Sequence, residues 1–459
     1  MPAMYFLYRI ITAAAMIVLA PYYALRGWRK GEPAGTLWQR LGVLPSQSAS
    51  GRAAESKRDG AIWIHAVSVG EVLAAKPLVD GLKKRFPGRR VCLSTTTETG
   101  QRLARERIQS ADAIFYFPLD WVVPVRKALG AIRPAAVIVM ETEIWPNFLR
   151  EARRKNVPVI FANARISERS FKRFEQWRFL VGDFYGRALR EATLFLAQSE
   201  DDGKRLREMG ADEERVEVTG NLKYDAEPPA IGDFGKWLAG EVRRQERWPV
   251  VVAGSVTEGE EEPVLAAYDI VQRKWRHALL VMAPRKPNRF DAAVELTESA
   301  GWHVVRRSQL NFNGAIPALN ENADVLVLDS IGELAGTYSL ADATFVGGSL
   351  TKAGGHNILE PAWFGMPPVF GTSMENFREM ADLFLDARAG IQVTSGPMLG
   401  KVWVQLIEDS GTREKMSAAA RAITERNRGA TAKSLERIAA VLGGDGSAYT
   451  ATPERGTAE

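Results

Sequence analysis

The segment AAVIVMETEIWPN, at residues 135–147, shows the pattern that decides the fold. It opens with an unbroken apolar run, without the alternation of polar and apolar residues that marks a strand with one face in water. Such a run predicts a strand covered on both faces, as in a parallel sheet. Polar residues follow, and Pro146 suits the first turn of a helix. The segment therefore predicts a strand, a polar loop and a helix in succession.

The same pattern recurs along the chain. Short apolar runs that end in small or polar residues alternate with stretches of helical character, which indicates βαβ units. One set of runs begins at residues 61, 91, 113, 135, 157, 193 and 215, and a second set at residues 249, 278, 302, 324, 343 and 367. The Pro- and Gly-bearing stretch at 227–233 separates the two sets. We therefore predict an α/β fold with two doubly wound, Rossmann-like lobes that face a cleft.

The predicted organisation has five parts. These are a membrane anchor at 1–27, a basic flank and linker at 28–59, an N-terminal lobe at 60–228, a C-terminal lobe at 229–442 and a disordered tail at 443–459.

The membrane anchor at residues 1–27 is predicted from its apolar composition. Between residues 5 and 25 the only charged side chain is that of Arg9, and the stretch has about the 20 residues needed to cross a bilayer. Basic residues at 26–40 follow it, which places the body of the protein on the cytoplasmic side. A cleaved signal peptide is disfavoured because the apolar stretch is long and no small-residue cleavage site follows. Whether the anchor spans the bilayer or lies in its interface stays open.

Composition narrows the classes of function. The net charge of +5 suits an acidic membrane surface or a phosphorylated substrate, but it is too diffuse to indicate nucleic-acid binding. The single cysteine, Cys92, cannot form a disulfide framework or a cysteine zinc site. The four histidines are scattered and no Asp-x-Asp pair is present, so we predict chemistry without a metal ion.

In open parallel sheets, ligands bind beyond the carboxyl ends of the strands, so polar residues at those positions are candidates for chemistry. Glu71 is a candidate general base, although a carboxylate in a first helical turn is also favoured by the helix dipole. Glu141 and Glu143 could orient a cationic partner or simply be solvated. Lys223 could offset negative charge on a departing phosphate, or it could be an ordinary loop lysine.

The second lobe contains a glycine-rich segment at residues 345–362. We expect a helix to begin there at His356 or Asn357 and to present its free amides to an anion. Glu360 would lie one turn further on, within reach of a ribose diol. The segment is neither a P-loop nor a G-x-G-x-x-G fingerprint, and the prediction is a nucleotide site.

Taken together, the motifs resemble those of the 3-deoxy-D-manno-octulosonic acid (Kdo) transferases of lipopolysaccharide synthesis. In order they are HAVSVGEV (65–72), METEIWPN (140–147), NARIS (163–167), GNLKYD (220–225), EGEEE (258–262), APRKPNRF (283–290), FVGGSL (345–350), GGHNILEPA (354–362) and G-x-x-x-x-N-F (371–377). The chain departs from the family pattern at Lys286, where histidine is common, and at Thr372 and Ser373, where Pro-His is frequent.

The resemblance implies a two-lobed glycosyltransferase of the GT-B type, attached to the cytoplasmic face of the inner membrane. Its N-terminal lobe would bind a phosphorylated lipid A precursor and its C-terminal lobe CMP-Kdo, with no cofactor. Glu71 matches the proton acceptor, and Glu141 and Lys223 match transition-state stabilisers. The CMP-binding positions are Pro284, Arg285, Ile331, Gly332, Glu333, Asn357, Ile358, Leu359 and Glu360. The alternatives are a two-lobed transferase or epimerase that uses a UDP-sugar, and an inactive scaffold on the same fold.

Overall fold

The computed structural model of the protein describes residues 4–15, 34–45, 60–228, 230–312 and 317–443. The chain divides into two compact units. Unit 1 comprises Met1–Ala226 and Asn427–Glu459, and unit 2 comprises Glu227–Arg426.

Unit 1 is built on a seven-stranded parallel sheet with the strand order β3-β2-β1-β4-β5-β6-β7. Its strands are β1 (Ala61–His65), β2 (Val91–Thr95), β3 (Ala113–Tyr116), β4 (Pro134–Met140), β5 (Val159–Ala164), β6 (Leu194–Ala197) and β7 (Val216–Val218). Its helices are α1 (4–15), α2 (Ala34–Arg40), α3 (Val69–Arg85), α4 (Glu98–Arg107), α5 (Val122–Ile132), α6 (Pro146–Arg154), α7 (Glu168–Val181), α8 (Phe184–Leu189), α9 (Glu200–Glu208) and, at the end of the described chain, α18 (Ala430–Gly443). Apolar clusters cover both faces of this sheet, around Trp63 on one face and Ile64 on the other.

Unit 2 contains a second seven-stranded parallel sheet, with the order β10-β11-β9-β8-β12-β13-β14. The strands are β8 (Val250–Val256), β9 (Leu279–Pro284), β10 (Val304–Arg306), β11 (Val325–Val327), β12 (Ala343–Val346), β13 (Val369–Phe370) and β14 (Ile391–Gln392). The helices are α10 (Asp233–Arg244), α11 (Glu261–Lys274), α12 (Phe290–Ser299), α13 (Leu334–Thr337), α14 (Leu359–Trp363), α15 (Arg378–Asp386), α16 (Gly396–Glu408) and α17 (Ser410–Arg426). Two apolar clusters again sandwich the sheet.

The prediction of two parallel-sheet α/β lobes is confirmed, and each apolar run in the sequence contains one strand. Among the described strands β14 was missed, because Gln392 interrupts its apolar residues and no run forms. The direction of strand succession reverses between β1 and β4 in unit 1 and between β8 and β12 in unit 2, where β11 is in addition inserted between β9 and β10. Ligands of open α/β sheets bind at such switch points.

The course of the chain differs from the predicted boundary at residue 442. The last helix, α18, belongs to unit 1, where Ala430 and Ile438 are buried in the cluster that covers α3. An amphipathic helix packs where its apolar face is buried. For α18 that packing surface is on α3, which is remote in the sequence.

The predicted anchor and linker are described only in part. Residues 16–33 and 46–59 lie outside the described residues, as does the predicted tail beyond Gly443. In the described ranges, no helix combines the length and the apolar character needed to cross a membrane. The described part of the predicted flank, residues 34–45, includes the helix α2. The Gln39 side chain near the end of this helix accepts a hydrogen bond from the Tyr116 amide of β3 at 2.9 Å.

Candidate active site

Glu71 lies at the switch point of the first sheet, in the first turn of α3 directly after β1. Its Oε2 accepts a hydrogen bond from the Val67 amide at 2.8 Å, and its Oε1 accepts one from the Ser68 hydroxyl at 2.9 Å. The side chain is nearly buried. Burial, and then the negative charge of Glu141, raise the pKa of Glu71 to about 7. A carboxylate with a pKa near the working pH is well suited to act as a general base.

Glu141 and Lys223 form an ion pair beside Glu71. Glu141 follows β4, the neighbour of β1, and takes a left-handed backbone conformation with φ of 54°. The Lys223 Nζ lies 3.0 Å from the Glu141 Oε1, and the two side chains are only 15% and 20% exposed. A partly buried pair is screened less by solvent than a surface pair. The three predicted catalytic residues of unit 1 are therefore brought together.

Asn163, at the end of β5, holds the turn that carries Lys223. This turn is a single 3-10 turn, Leu222–Asp225. The Leu222 amide donates to the Asn163 Oδ1 at 2.9 Å, and the Lys223 amide donates to the Asn221 Oδ1 at 3.0 Å. The NARIS motif thus supports the lysine, a role that the sequence did not indicate. Its Ser167 caps α7 by accepting a hydrogen bond from the Ser170 amide at 3.1 Å.

His65 is a site neighbour that the sequence analysis did not assign. It ends β1, is fully buried and stacks on Phe117 with a ring separation of 3.8 Å. Burial lowers the pKa of His65 to about 3, so at physiological pH the ring is neutral, with a proton on one of its two nitrogens. Its Nδ1 lies 3.0 Å from the Ser94 hydroxyl, which ties β1 to β2 beneath Glu71.

In unit 2, the protein's own carboxylate fills the amide pocket of the glycine-rich loop. Three successive amides, of Gly348, Ser349 and Leu350, donate to Glu260 at 2.6, 2.8 and 2.8 Å. The Thr257 amide and hydroxyl each donate to the same buried side chain at 2.8 Å. These amides would otherwise form an anion-binding nest. The EGEEE motif therefore fixes the loop internally, and the amides of Gly348, Ser349 and Leu350 are not free to bind a phosphate.

The helix after this loop begins later than predicted. It is α14, which starts at Leu359 rather than at His356 or Asn357 and has five residues. Asn357 instead forms a local turn, in which its Oδ1 accepts from the Leu359 amide at 3.2 Å. So short a helix aligns few peptide dipoles, and the charge for an anion must come mainly from side chains.

Charged and titratable side chains do gather around this segment. Burial raises the pKa of Glu360 to about 7, against the opposing effect of the Arg285 guanidinium. Burial, and then the charges of Arg285 and Lys286, lower the pKa of His356 to about 4. The structure thus brings the predicted positions 284–285 and 357–360 into one electrostatic environment.

The third predicted nucleotide segment, residues 331–333, lies before α13. Ile331 is exposed, Gly332 has a φ of 91°, and Glu333 is paired by the Arg307 guanidinium at 2.7 and 2.9 Å. The negative charge of Glu333 is therefore balanced by Arg307 within the protein. The backbone and the Ile331 side chain are the parts of this segment exposed to a ligand.

Among the described residues, no group of three or more His, Cys, Asp or Glu side chains is arranged so that it could hold a metal ion.

The fold, with its two parallel-sheet α/β lobes, is one that glycosyltransferases and sugar-nucleotide epimerases share. A glycosyltransferase structure from Rickettsia africae aligns with a TM-score of 0.55, at 12% identity, over 84% of this chain and 99% of that one. A UDP-GlcNAc 2-epimerase from Neisseria meningitidis aligns with a TM-score of 0.50, at 15% identity, over 79% and 98%. At these identities the likeness concerns the fold alone.

Sequence relatives are more specific. The family model "3-Deoxy-D-manno-octulosonic-acid transferase (kdotransferase)" matches residues 36–226. The 3-deoxy-D-manno-octulosonic acid transferase of Haemophilus influenzae is 33% identical over 381 residues, which is 82% of this chain and 86% of that protein. The enzyme of the same name from Bordetella pertussis is 33% identical over 452 residues, or 95% and 100%. The chain therefore belongs to the Kdo transferase family, as its motifs predicted, and is a glycosyltransferase of lipopolysaccharide biosynthesis.

Proposed function

We propose that this protein transfers Kdo from CMP-Kdo to a phosphorylated lipid A precursor of the lipid IVA type, with inversion and without a metal ion. The names of its relatives support Kdo as the transferred sugar. The arrangement of Glu71 beside the Glu141–Lys223 pair supports a transfer reaction that uses a general base and a cation. That arrangement is the observation that carries the proposal. A base alone would suit many reactions, but a base next to a cation suits attack on a donor whose leaving group is a phosphate.

In the proposed reaction the Glu71 carboxylate removes the proton of an acceptor hydroxyl. The hydroxyl oxygen forms a bond to the anomeric carbon of Kdo, while the bond from that carbon to the phosphate oxygen of CMP breaks. The electron pair leaves with CMP, and the proton remains on Glu71. Glu141 stabilises the positive charge that develops on the sugar, and Lys223 offsets the negative charge of the phosphate.

Unit 2 would hold the donor. Arg285 supplies a planar guanidinium, which matches the geometry of a phosphate or a carboxylate. Both groups are present in CMP-Kdo. Glu360, in its ionised form, would accept hydrogen bonds from ribose hydroxyls, and residues 331–333 and 357–359 would contact the rest of the nucleotide.

The direct test is product formation by the purified protein. Incubation with lipid IVA and a CMP-Kdo supply should give a product heavier by one or more Kdo residues in mass spectrometry. UDP-N-acetylglucosamine and UDP-glucose should give no product and no epimerisation. Turnover of a UDP-sugar with no consumption of CMP-Kdo would contradict the proposal and favour the alternative substrate class.

The pH dependence of the reaction is a second test. The reaction needs Glu71 deprotonated, so kcat/KM should fall as the pH drops below about 7 and level off above it. Glu360 has a pKa in the same range and would steepen this fall. In a Glu360→Gln variant the fall of kcat/KM at low pH should therefore reflect the protonation of Glu71 alone, with a tenfold loss of kcat/KM per pH unit. A flat profile in that variant from about pH 5.5 to 8.5 would contradict the base assignment.

Attachment to an anionic membrane surface on the cytoplasmic side is part of the same proposal. One face of α1 contacts unit 1, through the Tyr8 hydroxyl bound to Asp120 at 2.9 Å and Arg9 paired with Glu151 at 2.8 Å. Phe6 and Ile11 are 65% and 55% exposed on the other face. An exposed apolar face beside basic residues is typical of a helix that lies in the membrane interface.

This attachment predicts a defect in membrane binding for Phe6→Asp/Ile11→Asp. The double variant should lose most of its flotation with vesicles that contain an anionic phospholipid, because two charges would have to enter the apolar boundary. Leu383→Asp, which changes an exposed apolar residue of unit 2, serves as the control and should float normally. Equal flotation of all three proteins would contradict an interfacial role for α1.

A further inference from the structure

The turn that carries Lys223 is tied to the last helix of the described chain. Asp225, two residues after the lysine, accepts a hydrogen bond from the Gly429 amide on its Oδ1 at 2.6 Å. It accepts another from the Thr431 amide on its Oδ2 at 2.5 Å. Both amides lie at the start of α18, where they have no partner within the helix. One carboxylate thus joins two segments more than 200 residues apart in sequence.

The same helix lies against α3, which carries Glu71. A side-chain carbon placed at Gly81 of α3 would come within 2.4 Å of the Leu435 side chain, so the two helices are in close contact there. Leu222, in the Lys223 turn, is fully buried in one apolar cluster with Ala430 and Ile438 of α18. The helix α18 therefore packs on the two elements that carry Glu71 and Lys223.

The position of the Lys223 ammonium depends on this support. Lysine has a flexible stem and a point charge, so its own side chain does little to fix where the charge lies. In the structure the ion pair with Glu141 and the backbone position of the turn contribute to fixing it. The turn is held on one side by Asn163, which binds the Leu222 amide, and on the other by Asp225. Loss of either tie would release one end of the turn.

We propose that Asp225 is a positioning residue for the transfer reaction, and that α18 is the structural support through which it fixes Lys223. The proposal rests on the function proposed above for Lys223. Its physical basis is that displacements of about 1 Å at a reacting group can cost on the order of 100-fold in rate. Asp225 itself contacts backbone amides rather than substrate, so its effect is expected on kcat.

The test is Asp225→Asn. The side-chain amide can accept through one oxygen only, so one of the two α18 amides loses its acceptor. We expect kcat to fall by about tenfold, with the KM for CMP-Kdo and the Kd for CMP within about twofold of the wild-type values. Asp225→Glu keeps both oxygens and should retain more of the rate than the Asn variant. A normal kcat in Asp225→Asn, or an equal loss in both variants, would overturn the proposal.

A matched control distinguishes the positioning of Lys223 by Asp225 from a general contribution of α18 to the stability of unit 1. Arg437 of α18 pairs with Glu217 at the end of unit 1's sheet, away from the Lys223 turn. Arg437→Ala should therefore lower the Tm about as much as Asp225→Asn but leave kcat unchanged. If both variants reduce kcat in proportion to their loss of Tm, Asp225 has only a general structural role and the proposal is wrong.

A double variant shows whether Asp225 acts through Lys223. In the Lys223→Ala background, Asp225→Asn should cause no further loss of kcat, because the group it positions is gone. Independent, additive losses would overturn the proposal even if the single variant is slow. If Lys223→Ala is slow and Asp225→Asn is not, only this inference fails. If Lys223→Ala itself has a normal rate, the function proposed for Lys223 fails first.

Discussion

The variant Glu71→Gln is expected to lose Kdo transfer by a factor of about 10² to 10⁴, which is the range for removal of a general base. Gln has nearly the same shape, and its carbonyl oxygen can still accept one of the hydrogen bonds that Val67 and Ser68 now donate. It has no lone pair basic enough to take the acceptor proton. The loss should therefore appear in kcat, measured with lipid IVA and CMP-Kdo.

Binding of CMP is the internal check on that result. The proposed nucleotide-binding residues Arg285 and Glu360 belong to unit 2, so the Kd for CMP measured by calorimetry should be unchanged in Glu71→Gln. Glu143→Gln is the matched control, since Glu143 is a second half-buried carboxyl near Glu141 whose pKa burial also raises. Its rate should stay within about tenfold of the wild type. Comparable losses in both variants would show that charge in this region, rather than a specific base, governs the rate.

The variant Lys223→Ala is expected to lower kcat by about 100-fold or more, as does removal of one group that stabilises charge in a transition state. The change removes the cation and leaves Glu141 without the partner that now lies 3.0 Å from it. The affinity for CMP should fall much less than the rate, because the proposed charge on the phosphate develops only as the donor bond breaks.

The control for Lys223 is Lys76→Ala. Lys76 pairs with Asp80 on the exposed side of α3, so it tests the loss of a lysine from the same unit without a change near Glu141. Its kcat should equal that of the wild type. A larger loss of CMP affinity than of rate in Lys223→Ala would assign the lysine to ground-state binding and contradict its role in the transition state.

Local patterns in the sequence were enough to predict the two sheets and the positions of the candidate catalytic groups. An apolar run is a property of adjacent residues, and the residues after each run must lie at the carboxyl edge of a parallel sheet. Glu71 and Glu141 follow strands that turn out to be neighbours, β1 and β4. Their proximity to Lys223 then follows from the topology and from the tie between Asn163 and Leu222.

What the sequence did not predict depends on contacts between remote segments. Glu260 binds amides about 90 residues further on, and nothing in EGEEE distinguishes this buried carboxylate from its exposed neighbour Glu258. The start of α14 was misplaced because the side chain of Asn357 closes a turn where a helix was expected. The position of α18 is a contact of the same remote kind, between Asp225 and Gly429.

The return of the chain to unit 1 at Asn427 has a consequence for biogenesis. Proteins emerge from the ribosome with the N-terminal domain first, and domains tend to fold in that order. Here the first domain cannot be finished until the whole of the second has been translated, because the apolar surface of α3 and the Asp225 carboxylate are covered by residues of the segment 429–442. Nascent chains therefore expose this surface to chaperones and proteases throughout the synthesis of unit 2. A premature stop before residue 430 would leave it permanently uncovered.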